Sequence, residues 1–283
     1  MEIIKKVPEE LSGMRLDKVS SIIFEDFSRT QHKKWIIEGR ILLNNDIASP
    51  KDIVFINDEI EIHPIVETKI SWVPEDIEFQ VIKEEDNYLI INKPTNLIMH
   101  PGAGCFNGTL ANGLLYRYPE LKKIARAGIV HRLDKDTSGI ILVARNEKFR
   151  NYFVSLLQER KVKKNYKAIV VGKTIGSFKI TNPIGRDKNN RTKMSIRPDG
   201  KEAITFVKLE ESYQNYSLLD VSIETGRTHQ IRVHLTSKKL PIIGDKVYNP
   251  SRHIAKETPL DLIDIIRNFP RQALHSYQLS FED

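Results

Sequence analysis

The sequence predicts an α+β protein in two units: a small basic module of helices followed by strands, then a larger domain with a mixed, mainly antiparallel sheet flanked by helices. Three observations lead there. A chain of 283 residues with 40% hydrophobic content can bury one large core and a satellite. Strand-like stretches recur along most of its length while helical periodicity is confined to a few short segments, the order expected of an α+β domain. Finally, basic residues cluster near the first helices, whereas acids gather in the strands after them.

Taken in order, residues 1–13 read as an N-terminal extension and 14–65 as the first unit. Leu16, Val19, Ile22 and Ile23 recur at helical spacing, and Ser28 with Gln31 marks the start of a second helix that Gly39 closes. Strands are expected at Arg40–Leu43, Ile53–Phe55 and Glu59–Ile62, with a turn at Asn44–Asp46. Residues 66–77 carry Pro74 and little periodicity, so they read as a linker to a second unit at 78–283. There, strands are expected near Phe79–Ile82, Tyr88–Asn92, Ile129–Val130, Gly139–Ala144, through Tyr166, Ala168 and Val170, and at Ala203–Leu209 and Tyr216–Glu224. Helices are expected at Leu110–Tyr118, after Asn146 as cap, after Gly226, and after Thr258 as cap with Pro259 at the first position, the last with Leu262, Ile265, Ile266 and Phe269 as its buried stripe.

The charge distribution narrows the function classes. The net charge is +7, yet residues 145–201 alone hold sixteen Lys and Arg against four acids, leaving the remainder of the chain acidic. So long a basic stretch points to a nucleic-acid surface more than to an ordinary solvated face. A membrane surface fits less well, since no strongly amphipathic basic helix accompanies it. No apolar run reaches the ~20 residues of a membrane span, and the start lacks a secretory core, so a cytoplasmic protein is expected. Cys105 is the sole cysteine, which indicates neither a disulfide nor a cysteine-built metal site. The stretch PGAGCFNGT lacks the third glycine of a dinucleotide fingerprint and the Gly-Lys-Ser/Thr of a P-loop; it reads as a turn, and no cofactor is expected.

Two polar clusters stand between apolar strands. GIVHRLDKDTSGIILVAR sets His131, Arg132, Asp134, Lys135 and Asp136 on one turn, and ETGRTHQIRVH concentrates Arg227, His229, Arg232 and His234 at a helix start. For Asp136, Thr137 and Ser138, capping of turn backbone is the simpler role. Asp134 is different if the second cluster faces it, because a nearby cation keeps a carboxylate ionised and usable as nucleophile or base.

Both clusters occur in a known setting. The stretches INKPTNLIMHPGAG, RAGIVHRLDKDTSGIILVAR, KNYKAIVVG, IETGRTHQIRVHL, PIIGDKVY and RQALH resemble the RluA/RluD family of pseudouridine synthases, and residues 15–45 resemble an S4 RNA-binding domain. HRLD followed about ninety residues later by GRTHQIR is the most specific feature. The resemblance implies isomerisation of uridine to pseudouridine in ribosomal RNA without cofactor or metal. It implies Asp134 as nucleophile, Tyr166 as stacking residue or base, Arg227 as the salt-bridge partner, Arg132 in the stack vacated by the flipped base, and Ile231 as apolar packing. His131, His229 and Arg232 are expected to line the substrate. Arg15, Lys18, Arg29, Lys33, Lys34 and Arg40 are expected to face RNA phosphates, which position a protein without reading bases. Expected partners are large-subunit ribosomal RNA or a pre-ribosomal particle, met by a monomer; a tRNA target and a noncatalytic assembly factor are the rival readings. Chains of the family usually run a few tens of residues beyond RQALH, so the stop at Asp283 is expected to expose a sheet edge or part of the core.

Overall fold

The structure, a computed structural model, describes residues 3–25, 27, 29–64, 72–102, 104–190 and 192–282. The first unit contains β1 (Ile3–Lys6), α1 (Leu16–Ile23), α2 (Arg29–Ile37), β2 (Ile41–Leu43), β3 (Asp46–Ile47) and β4 (Glu59–Ile62). Its sheet runs β1-β4-β2-β3, so residues 3–6 belong to the module as an edge strand and are no separate extension. Leu16 and Val19 of α1, Trp35 and Ile36 of α2, and Ile41, Ile60 and Ile62 of the strands form a core of their own. Ile22, expected inside, is 42% exposed. The strand expected at Ile53–Phe55 is reduced to a single bridge between Ile53 and Arg15, with Val54 buried and Ile53 and Phe55 exposed. Ser28 lies outside the described residues; Gly39 takes the left-handed backbone (φ 67°) that ends α2.

The second unit adds β5 (Gln80–Glu84), β6 (Tyr88–Lys93), α3 (Leu110–Arg117), β7 (Ser138–Ala144), α4 (Glu147–Gln158), β8 (Lys163–Val171), β9 (Ser177–Ile180), β10 (Ile184–Arg186), β11 (Met194–Ile196), β12 (Thr205–Tyr213), β13 (Tyr216–Ile223), α5 (Gln230–Ser237), α6 (Leu260–Asn268) and β14 (Leu274–Ser280). Eight of the strands form one sheet in the order β5-β6-β7-β14-β8-β13-β12-β9, with only the β7–β14 pairing parallel. The mixed, mainly antiparallel sheet is therefore as the sequence predicts. Asn146 caps α4 by accepting from the Phe149 N–H at 2.8 Å. The expected Ile129–Val130 strand is only a bridge from Ile129 to Val143.

Three expectations need correction. Residues 72–77, read as linker, dock on α3: Asn112 donates to the Val73 carbonyl at 2.7 Å, and Trp72 and Ile77 pack on the main core. At α6 the Thr258 hydroxyl caps no helix N–H but donates to the Ala255 carbonyl, and of the expected stripe Ile266 is buried and Phe269 partly so, while Leu262 and Ile265 are 41% and 60% exposed. Nor does the last strand lie at an edge. β14 is inserted inside the sheet, with β7 on one side and β8 on the other. Gly139 permits this close approach: at φ 117°, a Cβ there would lie 2.0 Å from the Ser276 carbonyl oxygen.

Candidate active site

Strand alternation puts Lys164, Tyr166, Ala168 and Val170 on the buried face of β8, while Lys167 and Ile169 point to the other side. Tyr166 stands near the middle of the sheet, between Ser276 of β14 and Val221 of β13. Over it meet the turn before β7, the loop after β13 and the first turns of α5. They enclose a cavity of about 550 Å³, within the roughly 300–1,000 Å³ span of small-molecule sites.

At its wall, Asp134 Oδ2 accepts from Arg232 Nη1 at 2.9 Å. The same guanidinium is gripped from behind by Asp245, through Nε at 2.7 Å and Nη2 at 2.9 Å. Asp245 also accepts from the backbone N–H groups of Val247 and Tyr248. The three side chains are 16% (Asp134), 6% (Arg232) and 1% (Asp245) exposed, so the chain of charges runs inward from the cavity. Burial alone would lower the Arg232 pKa, but the hydrogen bonds and charge of Asp245, joined by Asp134, raise it above the ordinary arginine value. Burial likewise opposes ionisation of Asp245, and Arg232 overcomes it, holding that carboxyl below the usual range. Arg232 further lies over the Tyr248 ring, 5.0 Å from its centroid.

Not all sequence-predicted residues take the expected places. Arg227 lines the cavity, but its Nε donates to the Glu202 carbonyl at 2.8 Å, and the ion pair assigned to it is made by Arg232. The reason is local: Arg227 precedes α5, whereas Arg232 is on its first turn, facing inward. His131 lines the cavity, yet its Nε2 accepts from the Leu142 N–H at 2.9 Å and burial pushes its pKa down to about 3, so it is a neutral structural group. His229 starts α5 with a left-handed backbone (φ 56°), and its Nδ1 bonds the Tyr248 hydroxyl at 2.8 Å. Burial lowers the pKa of His229 and of His234, which is bonded to Thr205 and Asn182, so the positive charge of this segment rests on its arginines. Burial, then the Asp134 charge, push the Tyr166 phenol well above its ordinary pKa and keep it protonated at neutral pH. That disfavours the base role and leaves an aromatic wall. Arg132 is exposed at the cavity, and Ile231 is buried beside it.

The family model for RNA pseudouridylate synthase matches residues 87–237. The chain is 41% identical over 275 residues to ribosomal large subunit pseudouridine synthase D of Xanthomonas campestris, covering 97% of this chain and 83% of that protein. This chain belongs to the RNA pseudouridylate synthase family. The protein of the same name from Vibrio parahaemolyticus is 38% identical over 277 residues, 98% of this chain and 85% of the relative. Among solved structures, human RNA pseudouridylate synthase domain containing 1 shares the fold, with a TM-score of 0.55 and 24% identity over 72% of this chain and 79% of that one.

In this pseudouridine synthase, three residues at the site went unassigned by sequence reasoning. Asp245 positions Arg232, and its signal was present in PIIGDKVY. Lys93 is fully buried and donates to the carbonyls of Pro94, Leu97 and Lys135 at 2.7, 2.9 and 3.0 Å, tying the turn that carries Asp134 to the end of β6. Lys164 faces the cavity beside Tyr166. Among the described residues, no cluster of three or more His, Cys, Asp or Glu has the arrangement of a metal site.

Proposed function

We propose that the protein converts uridines of large-subunit ribosomal RNA, free or in a pre-ribosomal particle, to pseudouridine, with Asp134 as the nucleophile. The observation that carries this reading is a carboxylate held by a buried arginine at the wall of a nucleotide-sized cavity with a tyrosine beside it. The relatives named for the ribosomal large subunit supply the target.

The reaction breaks the bond from N1 to C1′, turns the uracil, joins C5 to C1′ and removes the C5 proton. Asp134 can serve by attacking the sugar, attacking the base or taking a sugar proton, and each route needs it ionised and aimed. Arg232 supplies the aim, through the hydrogen bond from its Nη1 to Asp134 Oδ2. The detached uracil must turn without escaping, and Tyr166 and Ile231 give the cavity buried side chains for it to turn against. Because the target atoms are unreachable in a stacked helix, the uridine is flipped out, with Arg132 taking the vacated place. The basic segment around β8–β11 holds the flanking backbone. The first unit acts as an S4-type RNA-binding domain: Lys18 and Lys33 are exposed, while Arg15 and Arg29, both bonded to the buried Asp17, keep half-exposed side chains available to phosphates. A monomeric cytoplasmic enzyme completes this reading.

The test incubates large-subunit ribosomal RNA and tRNA with wild type and Asp134→Ala. Pseudouridine is expected in the ribosomal RNA with wild type, with a loss of about 10³-fold or more in the variant. Product from neither protein would leave an RNA binder; product in tRNA alone would move the target.

A further inference from the structure

Two lysines are buried near Asp134, and they differ in one respect. Lys93 is saturated by three carbonyls, as a buried ammonium requires. Lys164, 7% exposed, has neither a hydrogen bond nor an ion pair among the described residues. Its nearest charged influence is another cation, Arg227, and the Nζ lies 3.9 Å from where a side chain on Gly226 would begin. Lys164, Gly226 and Arg227 all line the cavity. Being two residues from Tyr166 on one strand, Lys164 projects from the same face of the sheet, toward the same occupant.

We infer that Lys164 contacts the substrate directly, its ammonium donating to an acceptor oxygen of the everted nucleotide, a uracil carbonyl or the attached phosphate. The Nζ is not sealed from solvent but opens into the cavity, and a ligand oxygen entering there gives it the acceptor that the protein does not. Burial, then Arg227, lower the lysine pKa to about 8, which keeps the donor mostly charged at neutral pH and makes its pairing with an acceptor more favourable still. A purely structural lysine at this place would have gained carbonyl partners, as Lys93 did. The inference rests on the uridine-isomerising reading of the cavity, and names the donor that reading lacked.

Lys164→Met, an apolar side chain of similar length, and Lys164→Gln are compared with wild type on an RNA fragment that wild type modifies. KM, kcat and thermal melting are measured, together with binding of the same fragment carrying an abasic target position. Both variants are expected to melt at or above the wild-type temperature while kcat/KM falls about ten- to a hundredfold, mainly through KM. If the acceptor is phosphate, abasic binding weakens too and the salt dependence of binding loses about one unit of slope. If it is a uracil carbonyl, abasic binding is unchanged and only uridine RNA binds more weakly. Wild-type kcat/KM and RNA binding in both variants would overturn the inference, as would a fall in melting temperature without any weakening of binding. Failure of wild type to modify any large-subunit ribosomal RNA fragment would refute the underlying reading instead, and the binding comparison, made on such a fragment, would still decide the role of Lys164.

Discussion

Two carboxylates share the guanidinium of Arg232, and this sharing leaves one more carboxylate than cation within that group of three. With Asp245 holding Nε and Nη2, only Nη1 is left for Asp134, so the outer carboxylate is oriented without being fully neutralised. Asp245→Asn removes the inner charge and keeps its shape. It is expected to cost about 3 kcal/mol in denaturant unfolding, because a buried arginine loses its closest partner. Asp134→Asn, made at the cavity surface, should cost less; equal losses would refute the inward ordering of the three groups. At this scale the sequence was readable for the setting of Asp134, on the turn that leads into the apolar strand β7 in GIVHRLDKDTSG. Its partner was not. GRTHQIR offers two arginines, and which one faces inward depends on where α5 begins, set by the left-handed backbone of His229 and visible only in three dimensions.

Elements show the same division between local pattern and tertiary partner. The strand through Tyr166, the Asn146 cap and the end of α2 at Gly39 all follow from side-chain chemistry within a few residues, and they stand as expected. The stripe on α6 was correct in period and wrong in burial, since periodicity defines a face without naming what covers it. In the first unit, α2 buries His32 among Phe24, Phe27 and Trp35, with Nε2 3.2 Å from the Phe24 carbonyl. Burial pushes its pKa from 6.5 down to about 4. The unfolded chain therefore binds the proton first as pH falls, so the stability due to neutral His32 is complete above pH 6.5 and is lost toward pH 4, by on the order of 3 kcal/mol. Fluorescence of Trp35 in a Trp72→Phe background should report this loss, and His32→Gln should flatten it. A pH-independent melting of the module over that window would disprove it.

Across the whole molecule, charge does what no single contact does. The excess of sixteen basic residues over four acids in 145–201 runs from α4 through β11, and the Tyr248 hydroxyl ties Met194 of β11 to His229 at the cavity. The two units touch where Asn151 donates to the Glu25 carbonyl at 3.1 Å and Lys148 pairs with Glu25. RNA affinity should fall steeply with salt, and Lys188→Glu, at an exposed position between β10 and β11, should weaken binding and reduce the slope of log affinity against log salt by about one without changing the fold. An unchanged slope would place that loop away from RNA.

The position of β14 also sets an order of events. Without it the large sheet is two separate ribbons: β5, β6 and β7, which carry the Asp134 turn, and β8, β13, β12 and β9, which carry Tyr166 and lead into Arg232. Ser138 and His275, 137 positions apart, bond across the join. The turn of Asp134 and the helix of Arg232 are thus joined through one sheet only when this late-synthesised segment lies between the ribbons, and a nascent chain holds both side chains well before it can hold the complete sheet.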